Sequence, residues 1–255
     1  MLTISRLSKT YGTLQVLRDV NLEVKKGEIV SIIGPSGCGK SSLMNIISGL
    51  VNPDEGIVDY GNARISYLFQ SSRLLPWRTV YDNIRIVRDD SSKEEILSLI
   101  GSVGLNGFEN YYPSQISGGM ARRCALARAV HYGGDIMLMD EPFQGLDYGL
   151  RMEMLSLLLE IWNKGQQTIL FATHEIDEAL TISHRIVLLS CRPAQIQEII
   201  HLSGRVGREA AAPQLGEIRR KIINHVTEGK GSKGTPLREQ SLSKLQTTKN
   251  IKEFL

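Results

Sequence analysis

The chain has 255 residues, a formal net charge of +3, and 42% hydrophobic and 22% charged residues. This length suits one large domain, alone or with an appendage, and the composition is that of an ordinary globular protein. A net charge of this size does not indicate a particular kind of partner, since nucleic-acid binding requires a clustered basic face. The first six residues lack the apolar core of a signal peptide, and no apolar run approaches the ~18 residues of a membrane span. If the protein acts at a membrane, another chain must cross it.

Three cysteines, Cys38, Cys124 and Cys191, are scattered along the chain. An odd, dispersed set is neither a disulfide framework nor a cluster with metal-ligand spacing. We interpret these cysteines as small buried residues in a reducing compartment.

The first 33 residues predict strands. Val20, Leu22 and Val24 alternate with polar residues, which is the period of a half-buried strand. Residues 29–33 are a short β-branched run, typical of a strand that is buried on both faces. A Gly-rich loop and a helix that begins near Lys40 follow. This strand–loop–helix unit predicts an α/β domain.

The pattern of the remaining chain alternates between strands and helices, which predicts a largely parallel sheet. Two short strands are predicted within residues 56–70, separated by Gly61-Asn62, and mostly helical structure follows over about 71–133. The next predicted elements are a strand at 136–139, a helix at 151–162 that stops near Gly165, and strands at 168–172 and 185–189.

The character of the sequence changes after about residue 203, where Gly, Ser, Lys and Arg dominate and aromatic residues become rare. We therefore divide the chain into a domain of residues 1–203 and a basic extension of residues 204–255. Residues 213–226 predict one helix, and residues 228–236 predict a flexible stretch. Three interpretations of the extension stay open: a poorly ordered surface segment, attraction to anionic lipid, or a regulatory site.

Residues 34–41 match the phosphate-binding pattern G-x-x-x-x-G-K-[ST], between a buried strand and a helix. Glycines let backbone N–H groups converge on phosphate oxygens, and the helix points its positive dipole end at the same anion. Lys40 can reach the β- and γ-phosphates, and the Ser41 hydroxyl can ligate Mg²⁺. Cys38 is expected to act through its backbone rather than its thiol. The predicted nucleotide contacts here are Gly34, Pro35, Ser36, Gly37, Cys38, Gly39, Lys40, Ser41 and Ser42.

A second apolar strand, residues 136–139, ends in Asp140 and Glu141. Ligands of open α/β sheets bind at the ends of strands. Asp140 is placed to hold Mg²⁺, directly or through water, and Glu141 to orient and activate the attacking water. An acidic strand end alone is equally consistent with a solvated turn. Beside the phosphate loop it predicts the second element of a Mg²⁺-nucleotide site.

These motifs and those that follow resemble the ABC ATPase family, over residues 2 to about 200. Ser117, Gly118, Gly119 and Met120, followed by Arg123 and an Ala-rich helical run, resemble the family signature loop. A Gly-rich loop at a helix N-terminus is again an anion site, and in this family it caps the γ-phosphate bound by the other subunit. A P-loop kinase or GTPase would supply the phosphate loop but not this one. The resemblance implies ATP as the ligand and a second copy of the chain as a partner.

Other landmarks fall in family order. Tyr11 resembles the aromatic residue that stacks on adenine, and Gln70 resembles the glutamine that touches Mg²⁺ and reports to the membrane partner. Asp147 resembles the aspartate of the D-loop, which crosses the dimer interface. His174 resembles the switch histidine at the γ-phosphate; a lone histidine after a strand is more often structural, but the order of the motifs favours the switch. The resemblance implies catalytic roles for Gln70, Glu141 and His174, magnesium ligands in Ser41, Gln70 and Asp140, and nucleotide contacts from Tyr11, Ser117, Gly118, Gly119, Met120 and Asp147.

The fold that the resemblance implies is an α/β P-loop NTPase. It combines a mainly parallel sheet core, a small antiparallel β-subdomain and a helical subdomain over about residues 71–133. The stretch between Lys40 and Gln70 is short, which predicts a trimmed hairpin in the β-subdomain.

Within the family, residues 68–84 look like the nitrate, sulfonate and taurine importer group, although importers of thiamine precursors share the pattern. Met120, where many relatives have Gln, and residues 176–180 fit that group. Two positions depart from the family pattern: Ala121-Arg122 stands where Arg-Gln is common, and Gln144-Gly145 stands where Gly/Ser-Ala is usual.

The resemblance implies an ATP-hydrolysing subunit, peripheral at the cytoplasmic face of the membrane, that energises uptake of a small anion of the sulfonate, nitrate or taurine type. Two copies would sandwich two Mg²⁺-ATP and move separate transmembrane permease subunits. A solute-binding protein would deliver the solute to the permease. Leu75 and Trp77 are candidate permease contacts or, equally, subdomain core. The alternatives are a regulatory cassette and a non-transport ABC ATPase. The latter usually carries paired cassettes, coiled coils or zinc insertions, so no nucleic-acid partner is expected.

Overall fold

The computed structural model describes residues 1–231, so most of the predicted flexible stretch of residues 228–236 lies outside the described residues. The strands are β1 (Leu2–Tyr11), β2 (Leu14–Val24), β3 (Ile29–Ile33), β4 (Glu55–Asp59), β5 (Ile65–Leu68), β6 (Ile136–Asp140), β7 (Thr168–Ala172), β8 (Arg185–Leu189) and β9 (Ile196–His201). The helices are α1 (Lys40–Ile47), α2 (Val80–Arg85), α3 (Lys93–Ser102), α4 (Gly118–Tyr132), α5 (Tyr148–Gly165), α6 (Ile176–Ile182) and α7 (Gly216–Gly231). The strands and helices predicted from the sequence are present, and β9 is an additional strand.

The main sheet has the strand order β5-β6-β7-β3-β8-β9. Its first five strands are parallel, and β9 is antiparallel to β8. Every residue of β3, β6 and β7 is buried, as the apolar runs predicted. The prediction of a mainly parallel sheet is therefore confirmed. The carboxyl ends of these three neighbouring strands meet at one edge, where ligands of such sheets bind.

The two faces of the sheet pack against different layers because successive residues of a strand point to opposite sides. Ile29 and Ile33 of β3 lie in a core that includes helices α4, α5, α6 and α7. Val30 and Ile32 lie in a second core with α1 and strands β1 and β2. Each fully buried leucine or isoleucine contributes about 1.5–3 kcal/mol. Packing on both faces therefore holds the strand ends in fixed relative positions.

A separate antiparallel sheet has the order β2-β1-β4, as expected for a β-subdomain. The two strands predicted within residues 56–70 are present as β4 and β5, but they belong to different sheets. Strand β4 pairs with β1, while β5 pairs with β6 in the main sheet. The physical reason is burial: Ser66 and Leu68 of β5 are buried between layers, whereas β4 is mostly exposed.

The helical part of residues 71–133 has its own apolar cluster between α2, α3 and α4, with Val80, Ile84, Ile96, Ile100 and Cys124 among its fully buried members. Burial raises the pKa of the Cys124 thiol to about 12, in agreement with a purely structural cysteine. Trp77 next to this cluster is 68% exposed and Leu75 is half-buried, so Trp77 is not subdomain core.

The first part of the predicted extension packs onto the main domain. Leu215 and Ile222 are buried in the core that covers one face of the main sheet. In addition, His225 Nε2 lies 2.8 Å from the Leu189 carbonyl oxygen at the end of β8. The helix predicted at 213–226 is present as α7, after a 3-10 turn at Pro213–Leu215. None of the helices in residues 1–231 has the length and apolar character needed to cross a membrane.

Candidate functional site

A cavity of about 720 Å³ lies at the carboxyl edge of the main sheet. Residues from the phosphate loop, from the ends of β5, β6 and β7 and from β1 share this cavity; those predicted from the sequence are Tyr11, Gly34, Ser36, Gly37, Gly39, Lys40, Ser41, Ser42, Gln70, Glu141 and His174. Another cavity, of about 750 Å³, lies at the opposite edge beside Asp135 and Thr168, and none of the predicted site residues lines it. The cavity at the carboxyl edge is therefore the candidate site.

The phosphate loop has a conformation that requires glycine at Gly39. Its φ is 129°, in the region that L-residues rarely adopt, and a Cβ there would lie 2.9 Å from Val16 Cγ1. Helix α1 begins directly after it at Lys40. The loop therefore delivers a helix N-terminus, with its free N–H groups, to the cavity.

Lys40 is 7% exposed, and its Nζ donates to the carbonyl oxygens of Gly34 and Pro35 at 2.8 and 3.1 Å. The ammonium group is thus held within the loop. Gly34 is closely packed, since a Cβ there would lie 2.9 Å from Cys38 Sγ. Burial raises the pKa of the Cys38 thiol, which fits the expectation that this residue acts through its backbone.

Asp140 is 4% exposed at the end of β6. Burial raises the pKa of its carboxyl group, and a hydrogen bond with the Ser41 side chain opposes that increase. Mg²⁺ prefers oxygen ligands and takes one or two carboxylates together with substrate phosphates. The paired Ser41 and Asp140 oxygens, with Gln70 on the same cavity, fit that preference.

Glu141 and His174 come from the ends of neighbouring strands β6 and β7. Glu141 Oε1 lies 3.4 Å from His174 Nδ1, and the histidine side chain is 47% exposed. Glu141 Oε2 is buried, and within the described residues it has no hydrogen-bond partner. A carboxylate oxygen with a free lone pair beside a phosphate loop has the chemistry of a group that accepts a proton from water.

Two glutamines meet at the cavity. Gln70 Nε2 donates to Gln144 Oε1 at 3.3 Å, so the departure from the family pattern at Gln144 places an additional amide in the site. Tyr11 lies at the cavity mouth and is 44% exposed, with Lys9 Nζ 5.5 Å from its ring centroid. An exposed ring at this position offers a flat face to a planar ligand.

The signature loop and Asp147 do not reach this cavity. Ser117 is the exposed N-cap of α4, and its Oγ accepts a hydrogen bond from Met120 N at 3.2 Å. Asp147 caps α5 by accepting from Leu150 N at 3.0 Å. The two caps are neighbours, because a Cβ on Gly119 would lie 3.5 Å from Leu146 Cδ2. They form a second surface of the chain, apart from the cavity.

Sequence reasoning missed several residues of the site. Arg192 and Val226 line the cavity, and a Cβ on Gly37 would lie 3.0 Å from Arg192 Nη2. No local pattern could have found them, since they come from distant parts of the chain. Arg122 is buried beneath the site and donates to the Pro142 carbonyl at 2.8 Å. Its sequence signal was the departure from the family pattern.

A buried carboxylate lies behind His174. Glu178 is 2% exposed and accepts a hydrogen bond from Thr173 Oγ1 at 2.7 Å. Burial raises the pKa of Glu178 to about 7, although Thr173 and Arg151 oppose the increase. Arg151 Nη1 also lies 3.2 Å from Glu175 Oε2. These contacts join α5 to the loop that carries His174.

Comparisons with known proteins agree with this geometry. The sequence profile of the ABC transporter family matches residues 17–144. The aliphatic sulfonates import ATP-binding protein SsuB of Bacillus cereus is 40% identical over 232 residues, which cover 87% of this chain and 92% of that protein. An uncharacterized ABC transporter ATP-binding protein of Methanocaldococcus jannaschii is 38% identical over 88% of this chain and 90% of its own length.

Solved structures give the same result. A dimeric ATP-binding cassette in a post-hydrolysis state, bound to ADP and Pi, superposes with a TM-score of 0.72 and 31% sequence identity. The match covers 80% of this chain and 100% of that chain. The profile, the relatives and the shared cassette fold show that the chain belongs to the ABC transporter family, as an ATP-binding and ATP-hydrolysing subunit of the importer type.

Proposed function

We propose that the cavity at the carboxyl edge of the sheet binds Mg²⁺-ATP and hydrolyses it through Glu141 and His174. The observation that carries this proposal is the meeting of Lys40, Glu141 and His174 on one cavity, with Asp140 hydrogen-bonded to Ser41 at its floor. Three different strand ends supply these groups. The rigid sheet therefore positions them relative to one another before the nucleotide binds.

The phosphate loop supplies the binding energy for the β- and γ-phosphates. Backbone N–H groups at the start of α1 donate to phosphate oxygens, and Lys40 exchanges its carbonyl contacts for charge-assisted hydrogen bonds to phosphate. The exposed ring of Tyr11 lies at the mouth of the cavity and stacks on the adenine. The triphosphate thus points inward, towards the strand ends.

Ser41, Asp140 and Gln70 hold Mg²⁺, with Asp140 acting directly or through water. When bound, Mg²⁺ neutralises charge on the phosphate oxygens. The residues around it contribute the remaining chemistry. Glu141 orients the attacking water and accepts its proton, and His174 donates a hydrogen bond to the γ-phosphate. The 3.4 Å separation of Glu141 and His174 lets both side chains face the same γ-phosphate.

A second copy of the chain completes the site. In this proposal Ser117, Gly118, Gly119 and Met120 of one copy cap the γ-phosphate that the other copy holds, and Asp147 crosses the interface. The dimeric arrangement of the solved cassettes supports it. So does the placement of the capped α4 N-terminus on a surface apart from the cavity.

The dimer lies at the cytoplasmic face of the membrane. There it drives uptake of a small aliphatic sulfonate or a related anion through separate permease subunits. Several relatives at 37–40% identity are named for aliphatic sulfonate import, which supports the solute class. A solute-binding protein delivers the anion to the permease. The exposed indole of Trp77, beside the helical cluster, is a permease contact.

Glu141→Gln tests the catalytic part of the proposal. The substitution preserves shape but removes the proton acceptor, so we expect ATP turnover to fall by about a hundredfold or more. ATP affinity should stay within about threefold, and a closed dimer should accumulate with Mg²⁺-ATP, as seen by size-exclusion chromatography. Glu153→Gln, at an exposed position of α5, is the matched control and should keep parental turnover.

Turnover of Glu141→Gln at the parental rate would remove Glu141 from the mechanism. The solute class needs a separate measurement. The chain should be co-expressed with candidate permease and solute-binding proteins from the same genome and reconstituted in vesicles. Stimulation of ATP hydrolysis by an alkanesulfonate is the expected result, whereas stimulation by nitrate alone would reject the sulfonate assignment.

A further inference from the structure

Arg122 on α4 is a buried cation whose donors all point at main-chain carbonyls. The side chain is 7% exposed. Its guanidinium has five N–H groups in a planar fork. These groups contact five carbonyl oxygens: Nε lies 2.8 Å from Pro142 O, Nη1 lies 3.4 Å from Phe69 O and in closer contact with Gln70 O, and Nη2 lies 3.4 Å from Asp140 O and in closer contact with Glu141 O.

The five carbonyls belong to two segments that border the nucleotide cavity. Phe69 and Gln70 follow the end of β5, and residues 140–142 form the end of β6 and the turn after it. Helix α4, which carries Arg122, begins at the signature loop. One side chain therefore ties the signature helix to both segments.

The contact with Glu141 stabilises an unusual backbone conformation. Glu141 has a φ of 48°, in the left-handed region that non-glycine residues rarely adopt. Its N–H donates to the Ala172 carbonyl at 2.8 Å, and its own carbonyl accepts from Arg122. Held at both ends, the residue directs its carboxylate towards His174.

Carboxylates and carbonyl dipoles surround the buried charge of Arg122. Burial lowers the pKa of Arg122, while the nearby carboxylates of Asp140, Glu141 and Glu178 oppose that decrease. Carbonyl dipoles take the place of water around the cation. A neutral side chain of similar length would leave these carbonyls without their donor, and buried unpaired carbonyls favour a shifted main chain.

We propose that Arg122 is a positioning residue for ATP hydrolysis, which fixes the main chain of Gln70 and Glu141 relative to the signature helix. This inference rests on the roles proposed above for Gln70 and Glu141. Arg122 does not line the nucleotide cavity. Its loss should therefore affect the catalytic step and leave nucleotide binding nearly intact.

The test compares Arg122→Met and Arg122→Gln with Arg208→Met. Arg208 is a partly buried arginine whose Nη1 also donates to two carbonyls, Leu180 O at 3.0 Å and Ser183 O at 2.8 Å. Those carbonyls lie at the end of α6, and neither residue lines the cavity. Methionine keeps the length of the side chain and removes all donors, whereas glutamine restores an amide N–H group.

We expect Arg122→Met to lower kcat by about tenfold to a hundredfold, since small misplacements of catalytic groups have effects of this size. KM and the affinity for a fluorescent ATP analogue should change by less than about threefold. Arg122→Gln should recover part of the lost kcat. Arg208→Met should keep kcat within about twofold. Rates are normalised to the folded fraction, measured by circular dichroism at the assay temperature.

An Arg122→Met kcat within twofold of the parent, or a loss equal to that of Arg208→Met, would overturn the proposal. A rise in KM that accounts for the whole change would also overturn it, because it would place Arg122 in nucleotide binding. If Arg122→Met does not fold, parental kcat and KM in Arg122→Gln would overturn the proposal instead. The Glu141→Gln experiment separates the two ideas: an active Glu141→Gln variant defeats the proposed function, whereas an inactive one with a fully active Arg122→Met defeats only this inference.

Discussion

Two Gly-containing loops lie at helix N-termini in this chain, and they differ in what surrounds them. The loop before α1 is enclosed by Lys40, Asp140 and the residues of a cavity of about 720 Å³. The loop before α4 is exposed at Ser117 and Gly118, and the Ser117 hydroxyl is used to cap its own helix. Both loops present N–H groups to an anion, but only the first has carboxylates and a lysine within the same chain.

An anion-binding loop is therefore not by itself an ATPase site. The cavity holds the groups that we propose to bind phosphate and to activate water, whereas the signature loop offers only backbone donors and a hydroxyl. Such a loop discriminates among phosphates only when another surface brings the phosphate to it. The comparison therefore predicts that damage to the first loop abolishes binding, while damage to the second affects turnover alone.

Lys40→Ala should have the largest effect. Hydrogen bonds between charged groups contribute about 1.5–3 kcal/mol each, and Lys40 is placed to make more than one. We expect ATP affinity to fall by about a hundredfold or more and turnover to fall below detection. Equilibrium binding of a fluorescent ATP analogue measures the first, and phosphate release measures the second.

The matched control for that experiment is Lys93→Ala, an exposed lysine at the start of α3. It should leave both quantities unchanged. Parental ATP affinity in Lys40→Ala would mean that backbone donors alone hold the nucleotide, and the contrast between the two loops would disappear.

Ser117→Arg should have a smaller effect, limited to turnover. A bulky side chain at this exposed position blocks the approach of a phosphate held by another chain, but it lies outside the chain's own cavity. We expect ATP affinity within about threefold of the parent and a loss of turnover of about tenfold or more. Ser114→Arg, in the exposed 3-10 turn just before the loop, is the control. Equal losses of affinity and turnover would show that Ser117 acts within its own chain.

The sequence predicted those parts of the molecule that local chemistry determines. The phosphate loop, the buried strands and the acidic strand end follow from glycine positions, β-branched runs and short spacings, and the structure places Lys40, Glu141 and His174 together as expected. Which sheet a strand joins depends instead on how deeply the strand is buried. Strand β5 joins the main sheet rather than pairing with β4, and no short-range pattern distinguishes those two outcomes.

Contacts between segments that are distant in the sequence could not be predicted either. Ile222 of the predicted extension is fully buried in the main core, although the three residues before it, 219–221, are basic. The five carbonyls around Arg122 come from positions up to 53 residues away. A departure from the family pattern marked Arg122, but only the folded chain shows what the guanidinium contacts.

The signature loop and the loop that carries His174 also differ in what packs beside them. The cluster of α2, α3 and α4 next to the signature loop is apolar, whereas the carboxylate of Glu178 is buried behind the His174 loop. Burial raises the pKa of Glu178 from an ordinary value of 4.5 to about 7. The folded chain therefore binds this proton more tightly than the unfolded chain does. Consequently, Glu178 lowers the free energy of unfolding as the pH rises from about 4.5 to about 7, and above that range the loss is constant.

Glu178→Gln should remove this pH dependence of stability. Glutamine stays neutral and can still accept the Thr173 hydrogen bond, and Arg151 keeps its contact with Glu175. The variant should equal the parent in unfolding free energy near pH 4.5 and exceed it by up to about 3 kcal/mol at pH 8. Urea unfolding at several pH values measures the difference, with Glu153→Gln as an exposed control whose difference from the parent stays small. If the variant is less stable than the parent at pH 8, the ion pair between Glu178 and Arg151 outweighs the cost of burying the carboxylate. The charged form of Glu178 would then stabilise the loop that carries His174.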